Sequence, residues 1–166
     1  MSSMPLHVLF LCTGNSARSL IAEGVLRVLG HNQFRAYSAG SQPTGKPNPY
    51  ALLILQDHDI DVDFAASKRW DVFAGDDALK MDLIVTVCDN AAGETCPIWP
   101  GHPQVAHWGV ADPAAIDGSH DRIIAGFQTT YEEMSSRIRA LIAGHPTAET
   151  IGDLARSIGQ SEAGQS

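Results

Sequence analysis

A cysteine and an arginine near the start of the chain have the types and the spacing to do chemistry on an anion. Five residues separate Cys12 from Arg18, in the segment CTGNSAR, and Ser19 follows directly. In a tight loop that opens a helix, main-chain N–H groups converge on an anion and the helix dipole adds positive potential. The guanidinium of Arg18 can hold two oxygens of a tetrahedral oxyanion, and the same positive field lowers the pKa of the Cys12 thiol. The segment therefore predicts a thiolate nucleophile inside an oxyanion-binding loop.

The residues within this segment suit such a loop. Gly14 permits a close approach of the anion, and Asn15 tolerates a left-handed backbone. Ser19 is predicted to stabilise the thiolate by donating a hydrogen bond to the sulfur of Cys12. The alternative, a buried structural cysteine near a solvated arginine, is disfavoured because residue types, spacing and sequence context agree. The predicted oxyanion-binding residues are Thr13, Gly14, Asn15, Ser16, Ala17 and Arg18.

Two further cysteines lie in the segment VTVCDNAAGETCPIWPG. Cys88 follows a short apolar run, and Cys96 stands in a stretch that contains glycine and proline. Each alone is well explained as a core residue or an incidental loop thiol. Together with Cys12, they could pass a disulfide outward by successive thiolate attack. A zinc site would need further close cysteine or histidine pairs, so no metal ion is predicted.

A third candidate is the aspartate of the segment HWGVADP, Asp112, which directly precedes Pro113. A carboxyl group at this position could protonate a departing oxygen that would otherwise leave as a strong base. Asp-Pro is also common in turns. The anion-binding loop elsewhere in the chain favours the first interpretation, a general acid.

Short apolar runs and helical periodicities indicate the elements that position these residues. Strands alternating with helices predict an α/β fold with an open parallel sheet, whose strands end at one edge in polar loops. The predicted strands are His7–Leu11, Phe34–Ser38, Leu83–Val87 and Val105–Trp108, and the predicted helices are Ser19–Leu29, Tyr50–Asp57 and Arg122–Ile142.

Length and composition favour one catalytic domain. The chain has 166 residues, of which 44% are hydrophobic and 18% charged, enough for one continuous core. We predict a domain over residues 1–146 and a weakly helical tail over 147–166, with its helical stretch near Ile151–Ile158. The formal charge of −8 disfavours nucleic acid and anionic membranes as partners. With no signal-like apolar stretch at the start of the sequence, we expect a cytoplasmic protein.

The segment FLCTGNSARS resembles the phosphate-binding loop of low-molecular-weight tyrosine phosphatases and of the arsenate reductases that share their fold. The resemblance extends from about His7 to Ile142. It implies a four-stranded parallel sheet flanked by helices, with an Asp-Pro acid at Asp112. Glu23 and Ser38 are expected to brace the loop. The three cysteines are similar to those of thioredoxin-coupled arsenate reductases, although the seven residues between Cys88 and Cys96 are one more than is usual there.

The resemblance implies a reaction sequence for arsenate, with phosphate and sulfate as mimics. Cys12 attacks arsenate held by the loop and Arg18, while Asp112 protonates the leaving hydroxide. Cys88 then attacks Cys12 and releases arsenite, which leaves a Cys12–Cys88 disulfide. Cys96 next attacks Cys88, and thioredoxin is the expected reductant of the Cys88–Cys96 disulfide. Thiols supply both electrons, so no cofactor is predicted.

Two other functions stay open from the sequence. The first is a phosphatase for phosphotyrosine or small phosphate esters, which would need only Cys12, Arg18 and Asp112. Its relatives follow the aspartate with tyrosine-rich sequence, whereas Pro113-Ala114-Ala115 follows here. The second is an oxyanion-binding or redox-sensing module, against which the intact Asp112 argues.

Overall fold

The computed structural model describes residues 5–73, 80–87 and 103–163. Strands and helices alternate along them, as the sequence predicts. The strands are β1 (Leu6–Cys12), β2 (Phe34–Gly40), β3 (Leu83–Thr86) and β4 (Gln104–His107). The α-helices are α1 (Arg18–Leu29), α2 (Pro49–Asp57), α3 (His120–Ala143) and α4 (Ile151–Ala163), and short 3₁₀ helices span Trp70–Phe73 and Pro113–Ala115.

The four strands form one sheet in the order β2-β1-β3-β4. All neighbouring pairs are parallel, so the predicted fold class is confirmed. Leu11 pairs with Thr86, and Val87 donates its N–H to the carbonyl of Leu11 at 2.9 Å. The carboxyl ends of the two central strands therefore lie side by side, which is where a parallel α/β sheet places its ligands.

The alternation of β1 divides the interior into two hydrophobic clusters. Val8, Phe10 and Cys12 pack into the larger cluster with residues of all four α-helices. Leu9 and Leu11 face the opposite side of the sheet, where Trp70 and Phe73 pack against a smaller cluster. A strand buried on both faces is expected in a parallel sheet.

The helix N-termini differ in a way that bears on function. At α2, the side chain of Asn48 accepts the N–H of Tyr50, and at α3 the side chain of Ser119 accepts the N–H of Arg122. Helix α1 follows directly on the CTGNSAR segment, and its N-cap residue Ala17 makes no side-chain cap hydrogen bond. An N-terminus of this kind suits an anion, because the first N–H groups of a helix need an external acceptor.

Helix α4 packs beside the edge strand β4. Ile151 and Ala155 are fully buried, and the indole N–H of Trp108 donates to the carbonyl of Ala155 at 2.8 Å. The helix is longer than the stretch Ile151–Ile158 predicted for it. The division of the chain into residues 1–146 and 147–166 remains a prediction. Within the described ranges, each helix is too short or too polar to span a membrane.

Candidate oxyanion-binding site

The predicted nucleophile lies at the end of a central strand. Cys12 is the last residue of β1, and its exposed fraction is 4%. The N–H of Asn15 donates to its sulfur at 3.3 Å. Asn15 has a φ of 46°, the left-handed conformation that asparagine tolerates better than most residues. The loop therefore turns back over the sulfur and offers it a hydrogen-bond donor that favours the thiolate.

The side chain of Asn15 fixes this turn from within. It is fully buried, and its amide N–H donates to the hydroxyl of Ser19 at 2.8 Å. Its carbonyl oxygen accepts the main-chain N–H of Lys68 at 2.7 Å. Ser19 accepts in this contact and keeps its own O–H to donate. Its donation to Cys12 therefore remains a prediction that this geometry permits.

Three main-chain carbonyls of the loop accept hydrogen bonds from outside it. Segments outside the loop donate hydrogen bonds to the carbonyls of Thr13, Gly14 and Ser16. In a trans peptide the N–H points opposite to the carbonyl, so the N–H groups of Gly14, Asn15 and Ala17 turn the other way. The donors to these carbonyls are the N–H of Gln42 at 2.9 Å, the hydroxyl of Ser67 at 3.0 Å, the N–H of Thr44 at 3.1 Å and the N–H of Asn48 at 2.8 Å.

A glycine that the sequence did not single out makes this packing possible. A Cβ atom on Gly40 would lie 2.4 Å from the carbonyl oxygen of Thr13 and 3.0 Å from the nitrogen of Asn15. Gly40 ends β2, and its N–H donates to the carbonyl of Lys68 at 2.8 Å. In the sequence, Gly40 follows the predicted strand Phe34–Ser38, and nothing there indicates this close approach.

Arg18 connects the loop to the predicted acid. One guanidinium nitrogen donates to the carbonyl of Val110 at 3.1 Å, and the other lies 3.6 Å from a carboxylate oxygen of Asp112. The Arg18 side chain is 15% exposed and that of Asp112 is 43% exposed. The second carboxylate oxygen of Asp112 accepts the N–H of Ala114 at 3.0 Å. The structure thus pairs the arginine of the loop with a carboxylate from a segment nearly a hundred residues away in sequence.

A buried carboxyl group lies in the helix that follows the loop. Glu23 of α1 is 5% exposed, and it accepts the hydroxyl of Ser38 at 2.5 Å. The ammonium of Lys68 lies 3.9 Å from the same carboxylate oxygen. Burial raises the pKa of Glu23 above its usual value, against the hydrogen bond from Ser38 and the charge of Lys68. Burial also lowers the pKa of Lys68, against the charge of Glu23.

Cys88 and Cys96 lie outside the described residues, so their predicted roles remain predictions. The described residue before Cys88 is Val87, whose N–H is bonded to the residue before Cys12. Among residues 5–73, 80–87 and 103–163, no three His, Cys, Asp or Glu side chains are grouped so that they could hold a metal ion.

A parallel α/β sheet with a cysteine-containing oxyanion loop between its first strand and first helix defines a class of small phosphatase-like proteins. Residues 7–152 match the family of low molecular weight phosphotyrosine protein phosphatases. The chain belongs to this family, which confirms the resemblance predicted from the sequence.

Relatives within this fold are arsenate reductases. The chain is 36% identical over 132 residues to the arsenate reductase of Bacillus subtilis, covering 80% of this chain and 91% of that protein. A solved arsenate reductase in a phosphate-binding state has a TM-score of 0.68 and 26% identity, with coverage of 84% of this chain and 98% of that one. The thioredoxin-dependent arsenate reductase of Corynebacterium glutamicum has a TM-score of 0.61 and 25% identity, with coverage of 87% and 63%.

Proposed function

We propose that this protein reduces arsenate to arsenite with its own thiols. The observation that carries the proposal is the position of the Cys12 sulfur. It accepts the N–H of Asn15 at 3.3 Å within a loop that opens a helix. Relatives that are 36% identical over 80% of the chain are arsenate reductases. An oxyanion of arsenic bound in this loop would lie directly on the nucleophile.

In the first step, the Cys12 thiolate attacks arsenic and forms a sulfur–arsenic bond. The oxyanion is held by the N–H groups of the loop and by Arg18, whose planar guanidinium matches two of its oxygens. One arsenic–oxygen bond breaks, and Asp112 gives its proton to the departing oxygen, which leaves as water. Asp112 is suited to this because it lies beside Arg18, at 3.6 Å, and its side chain is partly open to solvent for reprotonation.

In the second step, the Cys88 thiolate attacks the Cys12 sulfur. A Cys12–Cys88 disulfide forms, the sulfur–arsenic bond breaks, and its electron pair stays on arsenic, which becomes arsenite. The hydrogen bond between Val87 and Leu11 supports this pairing, because it joins the residues that directly precede the two cysteines. Cys96 then attacks Cys88, which frees Cys12 as a thiolate and leaves a Cys88–Cys96 disulfide.

The proposed reductant of the final disulfide is thioredoxin. Cys12 is 4% exposed, so a protein reductant cannot approach its sulfur directly, and the relay is needed to bring the oxidation to the surface. The thioredoxin-dependent reductase of Corynebacterium glutamicum shares the fold at 25% identity. The reaction is proposed for the cytoplasm, where thiols are kept reduced.

The test is arsenate-dependent consumption of NADPH with thioredoxin and thioredoxin reductase. The parent protein should turn over, and Cys12→Ser should not, because a serine hydroxyl remains un-ionised in the loop. Glutathione with glutaredoxin is the control for the reductant. Arsenate reduction by Cys12→Ser would overturn the assignment of the nucleophile.

The two outer cysteines give matched variants that separate the steps. Cys88→Ser should stop after the first adduct and retain arsenic on the protein. Cys96→Ser should release one equivalent of arsenite and stall with a Cys12–Cys88 disulfide, which mass spectrometry of alkylated protein would locate. If Cys96→Ser turned over as fast as the parent with thioredoxin, the relay would be wrong and a small thiol would be the reductant.

A phosphatase is the second candidate, favoured by the family match over residues 7–152. The loop, Arg18 and Asp112 are sufficient for it, because a cysteinyl-phosphate needs only a nucleophile, an anion site and an acid. We propose residual hydrolysis of small phosphate esters beside the main activity. It should survive the loss of Cys88 and Cys96 but not that of Cys12. A higher kcat/KM for a phosphate ester than for arsenate would reverse the order of the two functions.

A further inference from the structure

We propose that Lys68 is a positioning residue of the oxyanion loop, because its ammonium is the counter-ion of the buried carboxylate of Glu23. The inference rests on the proposed function for its consequence in turnover, but its first effect is on the loop itself. Lys68 lies 56 positions after Cys12 in sequence and outside the loop motif.

The main-chain N–H and carbonyl of Lys68 both form hydrogen bonds to residues that support the loop. Its N–H donates to the side-chain carbonyl of Asn15 at 2.7 Å. Its own carbonyl accepts the N–H of Gly40 at 2.8 Å, next to the isolated bridge between Gly40 and Arg69. Any shift of Lys68 would therefore move Asn15, whose N–H lies on the Cys12 sulfur.

The side chain of Lys68 turns back towards the helix that follows the loop. Its ammonium donates to the carbonyl of Ala66 at 2.7 Å and lies 3.9 Å from the carboxylate of Glu23. Glu23 is 5% exposed and also accepts the hydroxyl of Ser38. Lys68 therefore contacts the loop through its main-chain N–H, β2 through its main-chain carbonyl and α1 through its charged side chain.

A buried carboxylate needs compensation, because removal from water penalises the charged form. Ser38 supplies one hydrogen bond, and Lys68 supplies a positive charge 3.9 Å from the carboxylate. Arg27, one turn later on α1, also acts on Glu23 through its charge, but its guanidinium stacks over the ring of Phe64 at 5.2 Å. Burial lowers the pKa of Lys68, and the charge of Glu23 acts against that shift, so each charge supports the other.

The experiment uses a background with Cys88→Ser and Cys96→Ser, so that Cys12 is the thiol that reacts. Iodoacetamide alkylation of Cys12 is followed against pH, with and without inorganic phosphate. Lys68→Met should move the alkylation midpoint to higher pH, because the Asn15 N–H is no longer held on the sulfur. Phosphate should also protect Cys12 less well. In the three-cysteine protein, kcat/KM for arsenate should fall by about 10- to 100-fold, since small misplacements of a catalytic group are costly.

A double variant separates charge from packing. Glu23→Gln with Lys68→Met removes both charges, so it should restore the alkylation midpoint and most of the phosphate protection that Lys68→Met loses. Lys68→Arg should stay close to the parent. Lys80→Met is the matched control, because Lys80 is exposed and the net charge changes equally.

Each result of these experiments supports or overturns the counter-ion role of Lys68. Recovery in the double variant supports the counter-ion role. This holds even when Lys68→Met alone fails to fold. A parent-like profile for Lys68→Met, or a double variant as impaired as Lys68→Met, would overturn it. If the parent fails to reduce arsenate but these alkylation shifts appear, the proposed function is wrong and the positioning role stands.

Discussion

The oxyanion loop and the segment that carries Asp112 meet at Arg18, but they are held in very different ways. The loop is enclosed: Asn15 and Ser19 are fully buried, and three of its carbonyls are bonded to neighbouring segments. Asp112 has a side chain 43% exposed, bonded to Ala114 within its own turn and paired with Arg18 at 3.6 Å. One part of the site is built into the core, and the other rests on its surface.

The difference fits the tasks we propose for the two parts. An anion-binding loop must keep its N–H groups fixed, because preorganised donors cost no reorganisation during the reaction. A general acid must exchange its proton with solvent once in every turnover, which exposure permits. Variants of the loop should therefore change the reactivity of Cys12 itself, whereas variants of the Asp112 segment should change only the proton-dependent steps.

Arg18→Lys should have the largest effect, because Arg18 belongs to both parts. The lysine keeps the charge but cannot make two parallel contacts to an oxyanion or bridge Val110 and Asp112. We expect kcat/KM for arsenate to fall by about 10³-fold, as for the loss of oxyanion donors. Steady-state kinetics with the thioredoxin system would measure it. Turnover near that of the parent would mean that Arg18 does not hold the substrate.

Gly40→Ala should damage the loop alone. The new methyl group would meet the carbonyl oxygen of Thr13 at 2.4 Å, so the loop has to move. We expect a loss of about 100-fold in kcat/KM, together with a higher pH midpoint for alkylation of Cys12. An unchanged alkylation profile in Gly40→Ala would contradict the tight packing of the loop.

Asp112→Asn should damage the acid alone. We expect hydrolysis of phosphate esters with poor leaving groups to fall by about 100-fold, the lower range for general acids, and arsenate turnover to fall less. The alkylation profile of Cys12 should stay the same, because the carboxylate of Asp112 is paired with Arg18 on the exposed side of the site. An ester with a good leaving group is the control and should be far less affected. Equal losses for both esters would argue against proton donation.

The same contrast explains what could be predicted from the sequence. The loop residues are contiguous, so their types and spacing predicted both the anion site and its place between β1 and α1. The parallel sheet followed from short apolar runs that alternate with helical periodicity. Gly40 and Lys68 were not identified as loop supports, because their contacts depend on the tertiary approach of segments far apart in sequence. For the same reason, the pairing of Arg18 with Val110 was not predicted.

The support of the Asp112 segment was also hidden from the sequence. The tail predicted as weakly helical forms α4, which packs along the edge strand that leads to Asp112. Trp108, four residues before Asp112, is fully buried and donates its indole N–H to Ala155 of α4. Added Cβ atoms on Gly159 would lie 2.5 Å from the carbonyl of His107, so the helix approaches the strand closely.

Trp108→Phe should have the smallest effect, and it should change the segment that carries Asp112 rather than the oxyanion loop. The phenyl ring fills most of the indole space but cannot donate to Ala155, so we expect a loss of about 1–2 kcal/mol in the free energy of unfolding. Urea unfolding would measure it. The hydrolysis of esters with poor leaving groups should fall a little, since the segment leading to Asp112 is less firmly held, while the alkylation profile of Cys12 should not move.

Arg156→Ala is the matched control. It also removes a hydrogen bond between α4 and β4, the one to the carbonyl of Val105 at 3.0 Å. That hydrogen bond is exposed, so its loss should cost less. A shifted alkylation profile in Trp108→Phe would show that α4 supports the loop as well, and the two parts of the site would then not be held independently.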